Sequence, residues 1–105
     1  MYVIEAMDGP LDGQRWAFAR EIIIGRDAAC AQAALTTDSA VSRRHALVAI
    51  DGGTITLSDL GSRNGTLLAG APIGAPALLS LGQPFKVGRT TLSVLTDEDP
   101  PEQGR

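Results

Sequence analysis

Three short polar segments concentrate the chemistry of this chain: Gly25-Arg26, Ser42-Arg43-Arg44-His45 and Gly61-Ser62-Arg63-Asn64-Gly65-Thr66. Guanidinium groups, hydroxyls, a side-chain amide and loop backbone N–H groups all donate hydrogen bonds. No carboxylate falls inside any of the three segments. Donors gathered without acidic partners describe a site for an anion. Arginine's planar fork suits an anion that carries several oxygens.

The charge distribution narrows that anion. The formal net charge is −3 over 105 residues. Four of the twelve acids lie in Asp97-Glu98-Asp99-Pro100-Pro101-Glu102, so residues 1–96 hold eight basic and eight acidic residues and are neutral. A neutral body with clustered arginines suits a discrete anion, whereas a nucleic-acid backbone calls for a broad basic stripe. Few aromatics are present for base stacking. No nucleic-acid partner is expected. One cysteine and one histidine supply neither an internal disulfide nor a zinc set, so no metal and no cofactor is expected. The apolar runs are too short to span a bilayer, and no basic and apolar leader opens the chain. The expectation is a cytoplasmic protein without membrane insertion.

The elements that must position the three segments are short strands punctuated by turns, with almost no helical periodicity. Strands are predicted at 2–7, 14–19 and 21–24, the last ended by Gly25. Trp16 and Phe18 share one face of the second and are assigned to the core. Residues 26–41 are Ala-rich and irregular, with a short strand around 33–35. A hairpin is predicted from 45–50 and 54–57 across Asp51-Gly52-Gly53. Residues 58–66 read as loop. Short strands follow at 67–68 and 76–79, and 85–87 closes on 90–95 across Gly88-Arg89. About ten or eleven short strands of this kind predict an all-β fold, an antiparallel β-sandwich of two sheets. Loops cluster at the ends of a sandwich, so the three polar segments can meet at one end. The domain is assigned to residues 1–96, and 97–105 to a disordered, acidic, Pro-containing tail.

Gly-Arg, then Ser-Arg-Arg-His, then Ser-Arg-Asn-Gly-Thr, in that order and spacing, resembles the forkhead-associated (FHA) domain. Gly9-Pro10-Leu11-Asp12-Gly13-Gln14 resembles the family's first turn, and 81–88 (LGQPFKVG) its closing region. The resemblance covers roughly residues 2–95. One lysine against eight arginines fits a bacterial member. The resemblance implies a phosphothreonine-binding adaptor with no enzymatic activity. Carried onto this sequence, Arg26, Ser42 and Arg43 would bind the phosphate. Asn64 would bond the peptide backbone beside it, and Ser62 and Arg63 would line the site. Gly25, His45 and Gly65 would be architectural, the glycines allowing tight approach and His45 bracing the loops. The implied partner is a phosphothreonine-containing protein such as a Ser/Thr kinase or its substrate. The domain is expected to be monomeric when unphosphorylated.

Other readings of the same residues stand beside this one. Ser42, His45 and Asp59 could be arranged as a hydrolase triad, although the chain lacks a Gly-x-Ser-x-Gly elbow. A phosphate-independent interaction module, part of a larger assembly such as a secretion system, would use a sheet face instead. Asp59 is assigned to tying down the Asn-Gly loop through backbone N–H groups. Arg44 is assigned to solvent, and Cys30 to a small apolar role near a loop. Thr96, ahead of three acids, has the character of a phosphoacceptor, the alternative being a merely solubilising tail.

Overall fold

The computed structural model describes residues 1–96, so the tail assigned to 97–105 lies outside the described residues. Eleven strands form two sheets. They are β1 (Tyr2–Ala6), β2 (Arg15–Phe18), β3 (Glu21–Gly25), β4 (Ala33–Ala34), β5 (Ala46–Asp51) and β6 (Thr54–Asp59), followed by β7 (Thr66–Leu68), β8 (Ala71–Pro72), β9 (Ala77–Leu79), β10 (Phe85–Val87) and β11 (Thr90–Thr96). One sheet runs β2-β1-β11-β10-β7-β8 and the other β4-β3-β5-β6-β9.

Alternation decides which face each strand buries. Ile22, Val48 and Leu57 stand opposite one another across β3, β5 and β6, and all three are buried. Ile4 stands opposite Val94, and Leu92 opposite Phe85, in the second sheet. These inward faces meet in a single core. Each such side chain contributes about 1.5–3 kcal/mol by leaving water. Phe18 is buried in this core and Trp16 packs against it, as their shared face predicts.

The structure differs from the sequence expectation at three places. Strand β6 continues through Ser58 and Asp59, which pair with Leu47 and Ala46. Aspartate is a poor strand former, but here its carboxylate is needed at the strand end, where it gathers loop donors. A two-residue hairpin, Leu68 opposite Ala71, adds the unforeseen edge strand β8. Its loop holds Ala69 at φ 54° and Gly70 at φ 82°. Such a loop usually advertises itself as Asn-Gly, and alanine in the left-handed region costs about 1–2 kcal/mol. Finally, β4 pairs parallel with β3, so the five-stranded sheet is mixed rather than purely antiparallel. The 26–32 segment turns back on itself, through Cys30 and Ala31 N–H bonds to the Asp27 carbonyl, and delivers Ala33 beside Ile24 in that direction.

Candidate functional site

The three polar segments converge at one end of the sandwich because backbone bonds lace them together. The His45 N–H donates to the Ile24 carbonyl at 2.8 Å, and the Arg26 N–H to the Ser42 carbonyl at 2.9 Å. The Leu60 N–H donates to the His45 carbonyl at 2.9 Å. Gly25 is required for the first of these junctions. A Cβ there would lie 1.9 Å from the Arg43 carbonyl oxygen and 2.7 Å from its carbon. The end of β3 and the 42–45 loop can approach this closely only if residue 25 has no side chain.

His45 is fully buried and holds two loops at once. Its Nδ1 accepts from the Ser42 N–H at 3.0 Å, and its Nε2 lies 2.8 Å from the Gly65 carbonyl. That pairing calls for the tautomer with its proton on Nε2. Both ring nitrogens are thereby occupied with backbone. Asp59 is bonded elsewhere, to Gly61, Ser62 and Thr66. Ser42, His45 and Asp59 are therefore not wired as a triad: His45 bonds the amide of Ser42, not its hydroxyl.

A cleft of about 330 Å³ opens between the loops, lined by Arg26, Ser42, Arg43, Arg63 and Asn64 with Ser39, Ala40 and Val41. Each polar side chain has donors to spare. Arg26 uses Nε to hold the Val41 carbonyl at 2.9 Å, which aims its terminal nitrogens. The Ser42 oxygen accepts from the Arg63 N–H at 3.0 Å, so its own proton remains to be given. Asn64 donates to the Ala40 carbonyl at 2.8 Å, keeping its amide oxygen and second N–H.

Ser62 is a correction to the sequence assignment. It does not line this cleft. Its hydroxyl donates to Asp59 and accepts from the Gly65 N–H at 2.8 Å. A strand-end carboxylate three residues earlier captures it, and it shapes the loop from behind. Ser39 is the polar lining residue that sequence reasoning missed, beside Ala40 and Val41. It sits in the irregular Ala-rich stretch, outside any motif, and nothing in its local pattern distinguishes it. Arg44 is exposed and outside the cleft. Cys30 is exposed rather than packed, with its sulfur 3.7 Å from Asp27 Oδ2.

Electrostatically, the acids at this end form no ion pair with Arg26, Arg43 or Arg63 among the described residues. Asp27 accepts from the Ala29 N–H, Asp38 from Ala40, Arg89 and Thr90, and Asp59 from the 61–66 loop. The ion pair found among the described residues is Arg15 with Glu5, on the β1–β2 hairpin. Arg26, Arg43 and Arg63 thus keep their charge available to an incoming group. Burial pushes the carboxyls of Asp38 and Asp59 up. The hydroxyl and backbone N–H bonds, joined at Asp38 by the Arg89 charge, outweigh it and hold both below the usual carboxylate value.

That direction fixes a pH dependence. Groups with depressed folded-state pKa stabilise the fold above their unfolded pKa, about 4, and lose that contribution as pH falls through the lower folded value. The melting temperature should hold nearly level from pH 7 to about 5 and then fall steeply below about 4. Thermal melts from pH 7 to 2 check this, with Asp59→Asn expected to show a shallower fall. A melting temperature unchanged at pH 2 would contradict the assigned role of these carboxylates.

Among the described residues no group of His, Cys, Asp and Glu could hold a metal ion. Nor is any helix there long and apolar enough to cross a membrane.

Comparison with known proteins gives a consistent picture. The sequence model of the FHA domain matches residues 22–88. The FHA domain-containing protein FhaB of Mycobacterium tuberculosis is 32% identical over 88 residues, which is 83% of this chain and 56% of that protein. The chain thus spans little more than half the length of the curated relatives it matches. The crystal structure of the FHA domain of CT664 protein from Chlamydia trachomatis superposes with a TM-score of 0.84 at 25% identity, covering 92% of this chain and 98% of that one. A structure from an analysis of phosphothreonine-dependent FHA domain interactions gives 0.78 at 32% identity, covering 92% and 97%.

Proposed function

This chain belongs to the FHA domain family, and from that membership we propose that it is a phosphothreonine-dependent protein-binding module. The observation that carries the proposal is the cleft itself. Three guanidinium groups and the hydroxyls of Ser39 and Ser42 line one open space, and no carboxylate is among the residues that line it. A phosphate near neutral pH carries about −1.5 to −2 charge and three acceptor oxygens, which is the complement of that set. Arg26, Ser42 and Arg43 bind the phosphate, with Arg63 adding positive charge at the rim. Asn64 uses its remaining amide groups on the peptide backbone, fixing an extended segment in register.

The loops are braced before any ligand arrives, by His45, Asp59 and Asn64. Little ordering entropy is then left to oppose binding. A few charge-assisted bonds of about 1.5–3 kcal/mol each support an affinity near 8 kcal/mol, or about micromolar. Ala40, half-buried in the cleft lining, supplies the apolar contact against which the threonine methyl would lie. One methyl in such a contact discriminates phosphothreonine from phosphoserine by about 10–200-fold.

The module has no catalytic role in this reading. It acts in the cytoplasm as a monomer, and its partner is a phosphorylated protein such as a Ser/Thr kinase or a kinase substrate. The family's phosphopeptide chemistry and the loop arginines support this.

Calorimetric titration with a degenerate phosphothreonine peptide pool, beside its phosphoserine and unphosphorylated counterparts, tests the proposal. Binding should be confined largely to the phosphothreonine pool. Equal binding to the unphosphorylated pool would overturn it. Leu78, 70% exposed on edge strand β9, is the observation favouring a phosphate-independent sheet contact. Absence of binding to every pool would direct attention there.

A further inference from the structure

A second cavity adjoins the phosphate cleft. It measures about 130 Å³ and is lined by Pro10, Thr37, Asp38, Ser39, Arg89 and Thr90. Ser39 lines both cavities, so they are immediate neighbours. The far wall is the turn between β10 and β11, outside all three of the polar segments.

That turn is locked against the cleft. A Cβ on Gly88 would lie 2.5 Å from a Val41 methyl and 3.1 Å from the Ala40 carbonyl carbon, so the turn packs directly on the cleft's own wall. The Asp38 carboxylate fastens the two together. It accepts from the Arg89 N–H at 2.8 Å, the Thr90 hydroxyl at 2.7 Å and the Ala40 N–H at 3.0 Å. The main chain of Arg89 is therefore fixed while its side chain is exposed; its guanidinium feels the Asp38 charge but makes no salt-bridge contact among the described residues.

We propose that this cavity is a second anion subsite, in which Arg89 with the Thr37 and Ser39 hydroxyls reads a carboxylate or a second phosphate on the same bound peptide. The inference rests on the phosphothreonine reading above and extends it to sequence selectivity. Asp38 is the one group in the cavity that would repel an anion. It is only 5% exposed, and its oxygens are occupied by the three donors just named. The accessible groups are the cation and the two hydroxyls. An extended peptide advances about 3.3 Å per residue, so neighbouring cavities that share Ser39 are bridged within a few residues of the phosphothreonine.

The test uses a phosphothreonine peptide with neutral flanks. Glutamate, or alternatively phosphoserine, is placed singly at each position within four residues of the phosphothreonine, and binding is measured to the wild-type chain, Arg89→Ala and Arg89→Glu. One position should show a gain over the neutral peptide of about threefold for glutamate, in the range of an exposed ion pair. Phosphoserine there should give about tenfold, the size expected for a charge-assisted bond. The two arms distinguish an acidic residue from a second phosphate as the preferred group. The ratio of acidic to neutral peptide should collapse to about one in Arg89→Ala and invert in Arg89→Glu. A flat scan in the wild type, or a gain that survives both substitutions, would overturn the subsite while leaving phosphothreonine binding in place. Failure of the neutral phosphopeptide to bind the wild type would overturn both.

Discussion

Replacing Arg26 and Ser42 together by alanine is expected to weaken phosphothreonine-peptide binding at least a hundredfold, with the fold intact. In the proposed phosphate site each side chain would supply a charge-assisted bond of about 1.5–3 kcal/mol. Arg26→Ala alone should cost at least about 1.4 kcal/mol, which is tenfold. Structural damage should be small, because both residues are incompletely buried and their internal bonds lie at the cleft rim. Titration of both single variants and the double variant, with thermal melts alongside, separates the two effects. A double variant that binds within threefold of wild type would remove phosphate recognition from this cleft.

The second large effect falls on a residue that contacts no ligand. Gly25→Ala should destabilise the domain by about 3 kcal/mol, the upper part of the range for overpacking. The added Cβ meets main chain, the Arg43 carbonyl at 1.9 Å, and a flexible side chain is not there to yield. Either β3 or the 42–45 loop must retreat, and the bonds of His45 to Ile24 and of Arg26 to Ser42 go with it. A loss of this size corresponds to a fall in melting temperature of about 10–20 °C for a domain of this length. Gly74→Ala is the matched control, since nothing lies within 4 Å of a Cβ at that position. It should change stability by no more than about 0.5 kcal/mol. Equal melting temperatures for the two variants would show that the close approach at Gly25 carries no weight.

Much of this site was legible in the sequence because its parts are local. Gly25-Arg26, Ser42-Arg43 and Arg63-Asn64 each combine a turn with donors, and the strands flanking them alternate cleanly enough to give the sandwich. What sequence did not show depends on long-range partners. Ser62 looked like a ligand group because a serine in a donor-rich loop does. Only the extension of β6 to Asp59 brings a carboxylate to its hydroxyl. Ser39 has no motif, and its place in the cleft follows from Asp38, whose three bonds reach as far as Thr90, 52 residues away. The parallel pairing of β4 and the Ala69-Gly70 hairpin escaped for a related reason. Both are conformations that tertiary packing imposes on residues with little preference of their own.

The pairing of Tyr2 with Thr96 has a consequence for how such a domain is mounted. Strand β11 leaves the Gly88-Arg89 turn beside the cleft and runs seven residues to Thr96, roughly 20 Å at strand rise. Residues 2 and 96 thus stand side by side at the pole opposite the binding loops. Polypeptide joined at either one attaches at a single stem, and the cleft faces outward like the open jaw of a clamp held by its handle. A captured partner is then presented away from the anchorage. Where a linker joins the domain at that stem, its length would set the reach between the two.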